Sequence, residues 1–194
     1  GANNTAIGYA ALYSNTIGQR NIAIGRQSLN SNTTGNYNTA VGFQALYDNT
    51  TGESNSAFGD SALANVTTGN FNVGIGQNAG LNITTGSNNV NIGVNANDAA
   101  DTTNVVAIGR QALSDSSADN LVAVGYRSLY QNTTGVQNTA IGYQSLYTNT
   151  IGVRNTALGY ESLEFNTTGT RNTAVGNQAL RDNTTGFSNS AFGY

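Results

Sequence analysis

Apolar and polar positions repeat along this chain with a period of seventeen residues. Each period holds a run such as Asn138-Thr139-Ala140-Ile141-Gly142, in which an apolar residue directly precedes a glycine. This marker glycine recurs every 17 residues, apart from two intervals of 16 between Gly93 and Gly125. A short fixed period is typical of a solenoid, in which each repeat contacts only its neighbours. We therefore expect one elongated domain over residues 1–194 rather than two compact domains.

The residues before the marker glycine predict a short strand. The position directly before it is apolar in every period, Ala stands one position earlier in most periods, and a Thr, Ser, Val or Ile precedes that Ala. Such a short run rich in β-branched residues is typical of β-structure, and we expect the invariably apolar column to be buried. A small residue followed by Leu, as in Ser145-Leu146, predicts a second short strand in each period. The apolar column comprises Ile7, Ile24, Val41, Phe58, Ile75, Ile92, Ile108, Val124, Ile141, Leu158, Val175 and Phe192.

Asparagine and glycine columns predict the corners between these strands. Asn stands four residues before the marker glycine in ten periods, where it tolerates left-handed backbone and its amides could form a ladder from repeat to repeat. Gly stands ten residues after the marker in nine periods, as at Gly152, and we expect it to supply a positive φ. Recurrent Gly and Asn disfavour a helix. The sequence thus predicts an all-β fold, a parallel β-roll of about eleven coils of 16–17 residues, roughly 50 Å long.

Both faces of the predicted strand carry apolar or small residues. Since successive strand residues point to opposite faces, one face can fill the interior while the other leaves a long exposed apolar stripe. Soluble monomers seldom expose such a stripe, so the pattern predicts self-association of matched coils. We expect a parallel homotrimer, because a closed ring of like chains covers every stripe.

Composition excludes several classes of function. The chain has no Cys and no His, which removes thiolate chemistry, disulfides, the commonest metal ligand and the commonest general base. We therefore expect neither an enzyme nor a cofactor. A net charge of −3, with only seven basic residues, disfavours a nucleic-acid partner. No apolar run is long enough to span a bilayer, and we expect any targeting segment to lie outside this stretch of a longer fibre.

The run Asn138 to Leu146, N-[TS]-A-[VI]-G-x-x-[AS]-L in pattern, resembles the head repeat of trimeric autotransporter adhesins. The two shorter coils, with Val105 to Gly109 and Leu121 to Gly125, are most similar to it. The longer coils, with Asn-Thr-Thr-Gly, are similar to repeats of phage and bacterial tail-fibre-domain proteins. The resemblance covers the whole chain and implies a left-handed β-roll, a trimer, and a place on a cell surface or virion fibre. It implies no catalytic residue, because the matching positions are structural.

Aromatic residues at recurring positions are the candidate ligand contacts. The set comprises Tyr126, Tyr143 and Tyr160 just after the marker glycine, with Tyr130 and Tyr147 four residues further on. Tyr9, Phe43, Tyr13 and Tyr47 hold the same positions in the first coils. A ladder of rings could stack on sugars or grip a receptor; alternatively, the rings only stack on each other and cover the roll.

Three other features have mainly structural interpretations. Thr columns, Thr33 to Thr84 and Thr133 to Thr184, could order water as in ice-binding solenoids, but we expect their hydroxyls to bond main chain in corners. Asp98, Asp101, Asp115 and Asp119 lack the regular spacing of a calcium-binding β-roll. The Asn-x-Thr motifs follow from the repeated turn and are acceptor sites only where the source glycosylates.

The sequence therefore predicts a structural and adhesive fibre segment, extracellular on a cell surface or virion, that attaches to a host glycan or protein receptor. Two alternatives stay open: a solenoid scaffold of a glycan-degrading enzyme, which would need two facing carboxylates, and an ice-binding β-solenoid.

Overall fold

The computed structural model describes residues 1–194 as a β-solenoid of about eleven turns. Twelve three-residue strands form one parallel sheet in sequence order, and equivalent residues pair, as Ala140 pairs with Ala157. The parallel β-solenoid predicted from the period is confirmed. The strands are β1 Thr5–Ile7, β2 Ile22–Ile24, β3 Thr39–Val41, β4 Ser56–Phe58, β5 Val73–Ile75, β6 Val90–Ile92, β7 Val106–Ile108, β8 Val122–Val124, β9 Thr139–Ile141, β10 Thr156–Leu158, β11 Thr173–Val175 and β12 Ser190–Phe192.

Small strand residues, rather than the large ones, face the interior of the solenoid. The middle residues of β2–β11, such as Ala140, are buried, and most of them pack with the Leu that stands four residues after a marker glycine, such as Leu146. The first and third residues of each strand point outward. The prediction that the apolar column is buried is therefore wrong for the single chain. A 17-residue coil is narrow, and Ala opposite Leu already fills its interior.

The predicted second strand is absent, and a turn occupies its place. The Leu column adopts left-handed backbone, with φ of 50° at Leu146 and Leu163. This conformation is unfavourable for a residue with a Cβ. It is held by hydrogen bonds to the next coil, such as Leu146 N to the Ser162 carbonyl at 3.0 Å. Only 22 of the 123 backbone hydrogen bonds lie within strands, so the turns bind coil to coil as extensively as the sheet does.

The Asn column before each strand forms a corner by bonding main chain. Asn155 donates from Nδ2 to the Gly169 carbonyl at 2.8 Å, and its Oδ1 accepts from the Asn172 backbone N–H at 3.0 Å. The left-handed residue is the one before the Asn, Arg154 with φ of 59°, and not the Asn itself. The corner was predicted correctly, but its left-handed residue was placed one position too late.

A second Asn column, in the turns, forms the amide ladder. Asn166 donates from Nδ2 to Asn149 Oδ1 at 2.9 Å, and Asn149 donates likewise to Asn132 Oδ1 at 2.7 Å. The glycine that follows, Gly152, does not have a positive φ, contrary to the prediction. A Cβ there would collide with Asn149 Oδ1 and with the Gly169 carbonyl. The positive φ belongs to the marker glycines, for example 139° at Gly142.

Candidate interaction surfaces

The outward side chains of the twelve strands form a continuous surface along the solenoid, which we call the strand face. It consists of the first and third residues of β1–β12, and every third residue is half-buried or exposed. Ile141 exposes 39% of its surface and Leu158 exposes 43%. Because the strands pair in register, equivalent side chains stack from coil to coil. The third residues of the strand face thus form an apolar stripe, open to solvent in the single chain, beside a first-residue column that is Thr or Ser in seven of the twelve strands.

The five candidate tyrosines form two parallel stacks, which we call the tyrosine ladder. The rings of Tyr126 and Tyr143 lie with centroids 5.4 Å apart, and those of Tyr143 and Tyr160 lie 5.1 Å apart with an interplanar angle of 8°. Tyr130 and Tyr147 stack at 5.4 Å and 6°. The cross-coil stacking predicted from the sequence is present. Since the stacked faces are covered by neighbouring rings, a ligand meets mainly ring edges, hydroxyl groups and the outer ring faces at the ends of the stacks.

An arginine joins the two stacks of the ladder at one end. The guanidinium carbon of Arg127 lies 5.2 Å from the ring centroid of Tyr126 and 5.2 Å from that of Tyr130. Arg127 also donates from Nε to Gln111 Oε1 at 2.9 Å. A cation placed against two rings is attracted by both ring quadrupoles. Arg127 therefore fixes the first rung of both stacks.

A charged cluster borders the other end of the ladder. Arg181 Nε lies 2.7 Å from Glu164 Oε2 and 3.2 Å from Glu161 Oε2, and its guanidinium lies over Phe165 at 4.8 Å. Glu164 occupies the coil position that Tyr147 holds one repeat earlier. The sequence reasoning missed Arg127, Glu161, Glu164 and Arg181. Glu164 and Arg181 lie one and two coils after Tyr147, and this spacing was the signal that could have identified them, whereas Arg127 and Glu161 directly follow ladder tyrosines in the sequence.

Hydrogen bonding couples the last tyrosine to this cluster. A hydrogen bond to Glu161 raises the pKa of Tyr160, and the negative charge of Glu161 acts in the same direction. A hydrogen bond from Gln178, followed by that from Tyr160, lowers the pKa of Glu161. At neutral pH the ladder therefore ends in a neutral phenol beside an ionised carboxylate.

The aromatic residues of the first coils do not form a ladder. Tyr9 and Tyr13 are exposed, and residues of other types occupy the equivalent positions in the next coil. Phe43 lies under Arg26, with the guanidinium carbon 5.7 Å from the ring centroid. Tyr47 is followed one coil later by Ala64. Stacking requires aromatic residues in consecutive coils, so only the second half of the chain presents an ordered aromatic surface.

The Thr columns lie in turns and bond main chain, as predicted. Thr33 Oγ1 donates to the Thr50 carbonyl at 3.1 Å, and Thr150 Oγ1 donates to the Thr167 carbonyl at 3.0 Å. The Asn-x-Thr motifs also belong to these turns, and the Asn of several is buried in the amide ladder, as at Asn149.

The four aspartates of the interrupted repeat do not converge on one site. Asp101 accepts hydrogen bonds from the backbone N–H groups of Thr84 and Gly86, at 2.9 Å and 2.7 Å. Asp119 Oδ1 accepts from the Thr103 N–H at 2.7 Å. Partial burial raises the pKa of Asp98, and the charge of Asp115 adds to this effect. No group of three His, Cys, Asp or Glu side chains in the chain is arranged to hold a metal ion.

No family model matches the chain, and no curated protein or solved structure does so either. No helix in the structure has the length and apolar character that crossing a membrane would require.

Proposed function

We propose that this chain is a segment of an extracellular fibre, on a cell surface or a virion, in which three parallel copies associate through the strand face. The observation that carries the proposal is the unbroken apolar stripe along a solenoid whose coils repeat the same contacts. Soluble monomers seldom expose a continuous apolar patch of this extent. Three like chains around an axis parallel to the solenoid would cover every stripe and leave none free. The left-handed coil implied by the sequence resemblance belongs to the same proposal.

In this arrangement the tyrosine ladder is the attachment surface of the fibre. It lies outside the strands, so association through the strand face leaves it available to a host glycan or protein receptor. Tyrosine offers a large, rigid contact with a polar tip at low entropic cost, which suits such recognition. The adjacent Glu161 and Arg181 add charged groups at one end. The chain thus supplies both the length of the fibre and a contact surface.

Sedimentation equilibrium of the chain tests the self-association. We expect a species of three times the chain mass, and we expect Ile141→Glu with Leu158→Glu to give monomers, because burying unpaired carboxylates in the stripe is unfavourable. Val136→Glu is the matched control, since Val136 is an exposed apolar residue outside the strand face. A wild-type chain that sediments as a monomer at all concentrations would overturn the proposal.

Binding of the labelled chain to immobilised glycans and to intact cells tests the attachment surface. We expect Tyr126→Ala with Tyr143→Ala to abolish binding, while Tyr9→Ala, at an exposed and unstacked ring, leaves it unchanged. If the double variant binds normally and loses only thermal stability, the ladder is structural and the attachment role is wrong.

A further inference from the structure

The two largest residues of the strand face occur together with its two smallest. Among the third residues of the strands, only Phe58 in β4 and Phe192 in β12 are phenylalanines. Among the first residues of the strands, only Ser56 and Ser190 are serines, and they belong to the same two strands. The other strands combine a Thr, Val or Ile with an Ile, Val or Leu. In both strands the largest third residue therefore stands beside the smallest first residue.

Packing within one chain does not account for this compensation. Side chains two positions apart on a strand stand side by side, separated by about 6.6 Å. The neighbours stacked on Phe58 along the sheet are Val41 and Ile75, not Ser56. Phe58 exposes 42% of its surface, so its ring has space in solvent. Nothing in the single chain limits the residue at position 56 to a small side chain.

A packed interface between solenoids does limit the size of the side chain at position 56. Two rigid solenoids that lie side by side keep one separation along their length, so each layer between them has a limited volume to fill. Protein interfaces of this kind are packed as densely as cores, where one extra methylene is already unfavourable. A phenylalanine in such a layer must therefore be matched by a smaller residue in the same layer.

We propose that Phe58 and Phe192 of each chain fill the space left by Ser56 and Ser190 of the neighbouring chain in the same layer. This inference rests on the self-association proposed above and adds its residue pairing. Around an axis parallel to the solenoid, cyclic symmetry places the third residue of one strand against the first residue of the next chain's strand. The two Phe/Ser layers then lie eight coils apart, one in β4 and one at the last strand. Each is a point at which the chains interlock.

A double-mutant cycle at β4 tests the pairing. Ser56→Thr adds a methyl group against the ring, and Phe58→Ile leaves a gap. We expect each alone to weaken association by about tenfold. The combination Ser56→Thr with Phe58→Ile recreates the Thr/Ile pair of β9, so we expect it to restore wild-type association. The direction of the Ser56→Thr effect is informative. Thr favours strands more than Ser does, so the substitution would stabilise an isolated chain, whereas we expect it to weaken association.

The matched control introduces the pair where it does not occur. Ile141→Phe alone in β9 should weaken association by a similar factor, and Thr139→Ser added to it should restore association. Equal and additive effects of the single substitutions, with an oligomer still formed, would overturn the pairing but leave the self-association intact. A monomeric wild-type chain would instead overturn the self-association on which the pairing rests.

Discussion

The regular coils of residues 126–186 and the interrupted coils of residues 60–125 fill the interior and the corners of the solenoid with different side chains. In the regular coils, amides stand at the corners and aliphatic side chains fill the interior. Asn155 and Asn166 are buried with both amide atoms bonded, and Ala157 and Leu163 form the core between them. Each ladder amide bonds the coils on either side of it. The buried amides there bind one coil to the next, whereas a buried serine such as Ser145 bonds a carbonyl of its own coil.

In the interrupted coils, two asparagines lie in the core itself. Asn91 replaces the strand Ala and Asn97 replaces the Leu of the turn. Asn97 donates from Nδ2 to Asn91 Oδ1 at 3.0 Å and to Thr102 Oγ1 at 2.8 Å, but Asn91 Nδ2 and Asn97 Oδ1 have no partner. The polar layer divides the hydrophobic core into two clusters, one on each side.

Apolar residues also replace corner asparagines in this region. Val66 and Ile83 take the place of the turn asparagines, and Val105 and Leu121 take the place of those before the strands. Asn49 is the last rung before this change, and its Oδ1 has no partner because Val66 follows it. A ladder therefore requires the same residue in consecutive coils. Changing one rung leaves a neighbour unsatisfied, and each such buried group costs about 1–3 kcal/mol.

The largest effect is expected from removing a corner amide in the regular coils. Asn155→Ala takes the acceptor from the Asn172 N–H and the donor from the Gly169 carbonyl, both in the solenoid wall. We expect it to lower the free energy of unfolding by about 3 kcal/mol. Urea unfolding followed by circular dichroism measures this change.

Asn177→Ala is the matched control in the same half of the chain. The side chain of Asn177 is half-buried and makes no hydrogen bond, so we expect a change within about 0.5 kcal/mol. If Asn155→Ala is as mild as this control, the corner amides do not hold the coils together as the comparison implies.

The period, the position of the one strand in each coil and the parallel pairing could be predicted from the sequence, because each depends only on which residues recur, but the predicted second strand does not form. Which face of the strand lies inside the solenoid could not be predicted. Both Ala140 and Ile141 belong to apolar columns, so alternation alone does not choose between them. The volume of the coil decides, and it depends on the inward Leu146. That Leu lies in a turn with positive φ, which its residue type does not indicate and which only coil-to-coil hydrogen bonds explain.

The tyrosine ladder, like the fold, could be predicted from the sequence only in part. Tyr126 and Tyr143 are 17 residues apart, so their stacking follows from the period once the coils are parallel. The contacts of Arg127 and Arg181 with the ends of the ladder do not follow from it. Arg127 has a left-handed backbone, and the direction of its side chain depends on that local conformation.

The second-largest effect is a gain in stability. We expect it from replacing the polar layer with the residue types of the regular coils. Asn91→Ala with Asn97→Leu restores the residue types of the neighbouring coils, and Thr102→Val removes the hydroxyl that Asn97 contacts. The triple variant loses both unpartnered amide atoms and buries a leucine. We expect the free energy of unfolding to rise by about 2 kcal/mol.

Thermal unfolding of the triple variant measures this gain, and we expect a transition about 5 °C higher and sharper than that of the wild type. Asn97→Leu alone is the informative partial variant. It removes the donor to Asn91 and to Thr102, so it should gain less than the triple variant. A triple variant less stable than the wild type would contradict the view that the polar layer is the weak point of the core.

The smallest effect concerns Asp101, whose carboxylate takes the place of the carbonyl that closes the Thr turn in regular coils. Partial burial opposes ionisation, but hydrogen bonds from Thr85, Thr84 and Gly86 outweigh it and lower the pKa of Asp101 to about 2. A lowered pKa stabilises the folded chain above the unfolded value of about 4, and this stability is lost as the pH falls towards 2. Since the group is largely exposed, we expect Asp101→Asn to cost only about 1 kcal/mol at pH 7.

The pH dependence distinguishes this role from a simple loss of charge. Urea unfolding at pH 7, 4 and 2 should show the difference between wild type and Asp101→Asn shrinking across the last interval, as the wild-type carboxylate itself becomes protonated. Asp182→Asn is the control, because Asp182 is exposed and makes only a 3.9 Å contact with Arg181. A difference for Asp101→Asn that persists unchanged at pH 2 would show that the ionised carboxylate does not close the turn. The interrupted coils would then keep their register without it.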